Sequence, residues 1–255
     1  MAKDRVNLLT IADGYGDTIA VPASWYPDYL KWPELIQLMT HNVALTNCSR
    51  YGAGNEYITN CLQENIKHQD CVLIQWAQPN RLDLVLDHRD TFWTDTIAAD
   101  LVYNNNKVNV GSDQFWLSSA STTAPVREYH EKFISIRQHQ LRSQLYIDYA
   151  TLLLKQHDIE FKFMLTEDSE YLAHIDPTNW IWHGPWHGMR NFKKHSKYSE
   201  LDFGLNQPIP LIFFEFIKLF IMPQVNLPWR NNTQIAAVEN MLYRKYNQAL
   251  ENRPK

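Results

Sequence analysis

Strong charge of one sign is missing from this chain of 255 residues. The formal net charge is -4, and no stretch collects a long run of like charges. A nucleic-acid partner usually requires a basic face or stripe, so the sequence gives no nucleic-acid-binding signature. The one locally basic cluster, residues 190–197, is interpreted as a solvated loop.

Cysteine is also scarce, and its pattern excludes two kinds of site. The chain has 3 cysteines, Cys48, Cys61 and Cys71, an odd number whose spacing is not that of a zinc site. We therefore expect free, buried thiols in a reducing compartment rather than a disulfide framework.

Long apolar runs are absent as well. The longest, residues 209–222, is interrupted by Glu215 and Lys218 and is shorter than the ~20 residues that a bilayer span needs. We interpret it as a buried helix. Residues 1–12 carry no apolar run preceded by basic residues, so we expect no secretion signal. The expected location is the cytoplasm: a host's cytoplasm if the protein is viral, with a virion as the alternative.

What the first third of the chain does contain is an alternation of strand and helix patterns. Helix patterns begin at Pro33, because proline suits the first helical position, and at Asn55, a suitable N-cap. The predicted strands are residues 6–11, 43–46 and 71–76. This spacing predicts right-handed βαβ units in a parallel sheet. Sites in such sheets lie at the carboxyl ends of the strands, where the loops 12–18, 47–55 and 76–81 should converge.

The remainder of the chain completes a single predicted α/β domain, residues 1–255. Residues 82–124 are predicted to be an insertion with little regular structure. A long helix is predicted from Pro125 to near His157, and residues 159–165 are predicted to be a fourth strand. A helix over residues 233–250 should close the chain. The apolar face predicted for the long helix consists of Val126, Tyr129, Phe133, Ile136, Leu141, Leu145 and Leu152.

The order of these blocks carries a family resemblance. The first strand leads into the loop Ala12-Asp13-Gly14-Tyr15-Gly16-Asp17, and a Trp-Pro pair precedes the next helix. The second strand ends at an asparagine, which is followed by a glycine-rich turn. The third strand ends in the loop 76–81, with tryptophan, glutamine, proline, asparagine and arginine. This order resembles the SGNH (GDSL-like) hydrolase superfamily, above all its divergent members encoded by bacterial viruses. The resemblance covers residues 6–81 well and 159–222 weakly. It implies a flavodoxin-like three-layer α/β/α domain that hydrolyses esters, often on acylated sugars.

The resemblance assigns the nucleophile's place to the loop after the first strand. Members carry a serine in a Gly-Asp-Ser block, and a base must remove its proton. Here that block falls on residues 12–14, so Gly14 stands where the serine should be. A shifted alignment places the block on Gly16-Asp17-Thr18, which makes Thr18 an alternative nucleophile.

The other family blocks supply oxyanion donors and the base. Gly52 fits the glycine block, with Asn55 beside it, and Gln78 or Asn80 stands where the donor asparagine is expected, next to Arg81.

In the final block the family has an aspartate followed by a histidine. Asp202 is present, but Gln207 occupies the histidine's place. A glutamine side chain cannot act as a general base near neutral pH. The resemblance thus implies that both nucleophile and base are lost.

Two histidines, His183 and His187, stand four residues apart in a Gly-Pro-Trp loop. They could bind zinc or replace the missing base from another loop, but packing in an aromatic loop is the favoured interpretation. The tryptophans Trp180, Trp182 and Trp186 could stack on a sugar, form an interface or belong to the core.

Asp13 and Asp17 offer two carboxylates on a glycine-rich loop, a pattern that can hold magnesium. The favoured interpretation is that they stabilise turns through backbone hydrogen bonds. Arg81 could bind an anionic ligand or pair with Asp13 or Asp83.

Three hypotheses follow from the sequence. The first is a degenerate SGNH-like domain without hydrolase activity, metal or cofactor, which binds a protein in a virion or host, or a carbohydrate. The second is an active esterase that uses Thr18 or a relocated base. The third is a metal-dependent enzyme built on Asp13, Asp17, His183 and His187.

Overall fold

A computed structural model describes most of the chain. The described residues are 5–13, 29–50, 52–79, 81–86, 107–110, 113–118, 132, 135–166, 177–181, 188–201 and 208–252. The residues predicted to belong to a site or to the face of the long helix that lie outside them are Gly14, Gly16, Asp17, Thr18, Asn80, Val126, Tyr129, Phe133, Trp182, His183, Trp186, His187, Asp202 and Gln207.

Strands and helices of the described residues follow one another along the chain. The strands are β1 (Val6–Ala12), β2 (Val43–Asn47), β3 (Cys71–Trp76), β4 (Leu82–Leu86), β5 (Lys107–Val110), β6 (Asp113–Ser118) and β7 (Glu160–Leu165). The α-helices are α1 (Trp32–Met39), α2 (Asn55–Asn65), α3 (Ile136–Gln156), α4 (Met189–His195), α5 (Pro210–Phe216) and α6 (Asn232–Asn252). A π-helical turn, Ile217–Ile221, extends α5.

Four of the strands form the predicted parallel sheet, in the order β2-β1-β3-β7. The first three strands are thus arranged as in flavodoxin-like folds, with β1 between β2 and β3. Helices cover both faces, so the predicted α/β/α layering is present. The carboxyl ends of β1, β2 and β3 lie side by side, as the strand–helix alternation predicts.

Alternate residues of each strand enter two separate cores. On β3, Leu73 packs beneath α1, α5 and α6, whereas Ile74 packs beneath α2 and α3. Both side chains are fully buried. This explains why β1 and β3 are mainly apolar: the faces of a sheet covered on both sides are largely closed to water.

The helix starts use local side chains. The Glu34 carboxylate accepts a hydrogen bond from the Lys31 amide at the start of α1, at 2.9 Å. At the start of α6, Asn231 and Gln234 exchange hydrogen bonds between side chain and backbone. Only the α6 arrangement is reciprocal, but both satisfy backbone amides that the helix itself does not bond.

The described parts of residues 82–124 are strands, so the prediction of little regular structure was wrong for these segments. The three segments form an antiparallel sheet in the order β4-β6-β5. The prediction failed because asparagine, aspartate and serine interrupt these strands, and their partners lie up to 36 residues away (Leu82 pairs with Ser118).

The long helix was also predicted with the wrong start and the wrong face. Ser135 is extended and caps α3 by accepting the Gln138 amide, so the helix does not run continuously from Pro125. Its exposed side includes four residues of the predicted apolar face: Ile136, Leu141, Leu145 and Leu152. Its buried side consists of His139, Ser143, Ile147, Ala150 and Leu154. Small and polar residues allow α3 to pack closely against α2.

Two further segments can be compared with the sequence predictions. Residues 210–221 form the buried helix expected of the longest apolar run. The basic cluster lies on α4 and the turn after it, not in a loop. Among the described helices, none combines the length and the apolarity needed to cross a membrane.

Candidate functional site

The carboxyl edge of the parallel sheet brings the described parts of the three predicted loops together. The chain leaving β2 continues alongside β1, because the Arg50 amide donates to the Ala12 carbonyl at 3.1 Å. The residues after β3 lie on the other side of β1. Asp13, the first residue after β1, is therefore placed between the two other strand ends.

Asp13 is buried, with 1% of its side chain exposed, and forms an ion pair with Arg81. The distance from Arg81 Nη2 to Asp13 Oδ2 is 3.4 Å. The Arg81 amide donates to the Gln78 carbonyl, which closes a turn and returns the arginine towards the sheet. Of the partners that the sequence offered to Arg81, the structure selects Asp13. The pair ties the loops after β1 and β3 together.

Gly52 and Gly54 are required for different reasons. Gly52 has φ 85°, in the left-handed region that favours glycine. At Gly54 a Cβ would lie 2.8 Å from the Asp83 carboxylate, closer than real side chains approach. The glycine-rich turn of the sequence motif is therefore explained by backbone conformation and packing.

Asp83 caps α2 from another strand. Its carboxylate accepts hydrogen bonds from the amides of Gly54 and Tyr57, each at 2.7 Å. Burial raises the pKa of Asp83 to about 7, although the two amide hydrogen bonds act in the opposite direction. This role was not predicted from the sequence, where Asp83 stood only as an alternative partner of Arg81, because the cap comes from about 30 residues downstream.

Asn55 was predicted to be the N-cap of α2, and this was wrong: the helix begins at Asn55 and its N-cap is Gly54. The Asn55 side chain instead bonds to Ala77, just after β3. Its Oδ1 accepts the Ala77 amide at 2.9 Å, and its Nδ2 donates to the Ala77 carbonyl and to Ser143 Oγ. One buried amide thus joins α2, α3 and the end of β3.

Gln75 and Lys31 are buried polar residues that sequence analysis also missed. Gln75 Oε1 accepts the Trp32 indole N–H at 2.8 Å, and Gln75 Nε2 faces the Thr166 hydroxyl. Lys31 is fully buried, and its Nζ lies 4.4 Å from the centre of the Tyr29 ring. The tyrosine hydroxyl in turn donates to the Pro208 carbonyl. Pro208, which follows the position where the family's histidine is expected, therefore lies near the same edge.

A cleft beside Asn55 and Asp83 extends the candidate site towards α3. It encloses only about 10 Å³, room for about one water molecule. An ion pair between Arg142 and Glu56, at 3.0 Å, lies within its lining. The lining residues are Asn55, Glu56, Pro79, Arg81, Asp83, His139, Arg142, Ser143 and Tyr146. His139, which sequence analysis did not consider as a functional residue, is the histidine of this lining.

The remaining candidates can be placed only in part. Gln78 is half-buried at the end of β3. Trp180 belongs to the core, with its ring 5.4 Å from Phe163 between centroids. Among the described residues, no group of three or more histidine, cysteine or acidic side chains could hold a metal ion.

Comparison with known proteins adds no family to this description. No protein-family model matches the chain. No curated protein matches it in sequence either.

Proposed function

We propose that this chain is a degenerate SGNH-like domain without hydrolase activity, which serves as a binding or structural component of a bacterial virus. The observation that carries the proposal is that polar groups at the carboxyl edge bond to the protein itself. Asp13 pairs with Arg81, Asp83 caps α2, and Asn55 bonds to Ala77 and Ser143. An oxyanion site needs donors aimed at a substrate, and Asn55 directs its donor to Ser143 and the Ala77 carbonyl.

The sequence supports the same proposal. Gly14 has no side chain that could act as a nucleophile, and Gln207 cannot take up a proton near neutral pH. The strand order supports a flavodoxin-like sheet, which the SGNH resemblance requires. The bacterial-virus origin rests on the sequence resemblance alone.

The test is hydrolysis of 4-nitrophenyl acetate, 4-nitrophenyl butyrate and acetylated sugars by the purified protein. We expect no turnover above the rate of the Thr18→Ala variant, because neither protein has an activated nucleophile. Multiple turnovers that Thr18→Ala abolishes would overturn the proposal. The variant's circular dichroism spectrum should match that of the native protein, which separates lost chemistry from lost fold.

A second candidate function is an active esterase with a relocated base. His139 favours it, because this histidine lines the same cleft as Asn55, Arg81 and Asp83. On this alternative, Thr18→Ala and His139→Ala would each abolish turnover of the same esters. His157 offers a matched control, since it is exposed at the far end of α3, and His157→Ala should leave any activity unchanged.

A further inference from the structure

Two of the three cysteines meet beside the carboxyl edge of the sheet. Cys48 directly follows β2, and the Tyr57 hydroxyl donates to its carbonyl oxygen at 3.0 Å. Tyr57 and Cys61 lie four residues apart, on one face of α2. Cys48 packs against the core that contains Cys61, and both cysteines lie beside Tyr57.

The two thiols differ in accessibility and in acidity. Cys48 is half-buried, whereas Cys61 is buried. The Cys61 thiol beside it, helped by the charge of Arg50, lowers the pKa of Cys48. The hydrogen bond to Cys48, together with burial, raises the pKa of Cys61. A reagent in solution therefore meets the more acidic thiol first, and thiolate is the reactive form.

We propose that Cys48 and Cys61 form a reversible modification site, at which a low-molecular-weight disulfide such as oxidised glutathione converts the two thiols into an intramolecular disulfide. Such a bond would fix the loop leaving β2 to α2, next to the candidate site. The inference does not depend on the proposed function, since it concerns only these two side chains.

The reaction proceeds through two thiol–disulfide exchanges. In the first, the Cys48 thiolate attacks one sulfur of the reagent; a mixed disulfide forms, the reagent's S–S bond breaks, and one thiolate leaves and takes up a proton. In the second, Cys61 loses its proton to solvent and attacks Cys48 Sγ, which expels the second thiolate. In total the protein dithiol loses two electrons and two protons, and the reagent becomes two thiols.

The second exchange is favoured by the first. A thiolate at Cys48 opposes ionisation of Cys61, since the interaction with Cys48 is the largest cause of the raised Cys61 pKa. That charge disappears once Cys48 is in the mixed disulfide. Cys61 then ionises more readily, close to the bond that it must attack.

The experiment treats the full chain with oxidised glutathione, alkylates the remaining thiols under denaturing conditions and measures intact mass and peptide masses. We expect a species lighter by two hydrogens, with a Cys48–Cys61 cross-link and one alkylated thiol at Cys71. Dithiothreitol should restore three alkylated thiols. A lasting glutathione adduct on Cys48, a cross-link to Cys71, or no reaction while the unfolded chain reacts would each overturn the proposal.

Matched variants assign the order of the two steps. Cys71 is buried in the core on the opposite face of the sheet, so Cys71→Ala should form the cross-link at the native rate. Cys61→Ala should stop at the glutathione adduct on Cys48. Cys48→Ala should react at least about tenfold more slowly, because only buried thiols remain. If Cys48→Ala reacted as fast as Cys61→Ala, the assignment of Cys48 as the attacking thiol would fail.

Discussion

Asp83 joins the antiparallel sheet to helix α2, because it lies on β4 and caps that helix. Its side chain is buried, so its carboxylate exchanges water for two backbone amides. Hydrogen bonds to a charged acceptor are among the stronger ones, yet burial of the charge opposes them. The raised pKa of Asp83 indicates that burial has the larger effect.

This balance predicts a specific pH dependence of stability. The pKa of Asp83 is about 7 in the folded protein, above its ordinary value, so the folded state binds more protons than the unfolded chain between about pH 4 and 7. The contribution of Asp83 is therefore fully present below about pH 4 and is lost as the pH rises through 7. In the native protein, we expect Asp83 to lower the free energy of unfolding by on the order of 1–3 kcal/mol between pH 5 and pH 8. In Asp83→Asn this decrease should be absent.

Urea unfolding of both proteins at the two pH values measures this difference. Other titrating groups contribute equally to both proteins, so the comparison isolates Asp83. An unchanged difference in the free energy of unfolding between pH 5 and pH 8 in Asp83→Asn would show that the folded carboxyl has an ordinary pKa.

Gly54 depends on the same carboxylate. A Cβ at this position would press against both Asp83 oxygens, at 2.8 and 2.9 Å, so we expect Gly54→Ala to cost about 1–3 kcal/mol. In an Asp83→Ala background the obstacle is gone, and the cost should be smaller by about 1 kcal/mol or more. The free energies of unfolding of the four proteins in this cycle provide the test. Additive costs would mean that the two residues do not interact.

At the scale of elements, strands were predictable where a short segment carries its own hydrophobic signal. The strands β1, β2, β3 and β7 each contain closely spaced apolar residues, and each was predicted to within about one residue. The strands β4, β5 and β6 were missed because their signal lies in pairing between distant segments. The cap of α2 was missed for the same reason: Asp83 is remote in sequence, and nothing local distinguishes it from a surface aspartate.

Helix α3 shows a different limit. Large aliphatic residues dominate a hydrophobic pattern, but three of the five buried positions of α3 are small or polar: His139, Ser143 and Ala150 accompany Ile147 and Leu154. Ser143 is acceptable there because it accepts the Asn55 amide. The hydrophobic pattern of α3 does not reveal Asn55, the partner that makes a buried serine favourable on this side of the helix.

A pair of leucines on α3 tests the observed orientation. Leu154 is fully buried and Leu152 is 68% exposed. We expect Leu154→Ala to lower the free energy of unfolding by about 2–5 kcal/mol, because it leaves a cavity in the core. Leu152→Ala is the matched control and should change it by less than about 0.5 kcal/mol. Urea unfolding followed by far-ultraviolet circular dichroism measures both, and equal costs would contradict the orientation.

At the scale of the whole molecule, the layered architecture was predictable although most of the candidate site was not. The alternation of strands and helices leaves few arrangements, and right-handed crossovers place the loops at one edge. The side chains at that edge are positioned by contacts between residues distant in sequence, such as the Arg81–Asp13 ion pair and the hydrogen bond between Asn55 and Ala77. Sequence neighbours do not encode such bonds. The loops were therefore correctly grouped, but the Arg81–Asp13 pair was only one of several options and Asn55 was assigned another role.

The three-layer arrangement leads to a final prediction, for the stability cost of substitutions at two neighbouring residues of β3. Leu73 and Ile74 are adjacent and fully buried, and they point into different cores on opposite faces of the sheet. We therefore expect Leu73→Ala and Ile74→Ala each to cost about 2–5 kcal/mol, because each empties a closed core. Glu64, exposed on α2, supplies the control, and Glu64→Ala should cost less than about 0.5 kcal/mol. Urea unfolding decides the matter: if either β3 substitution behaved like the control, one face of the sheet would be open to solvent and the sandwich would be incorrect.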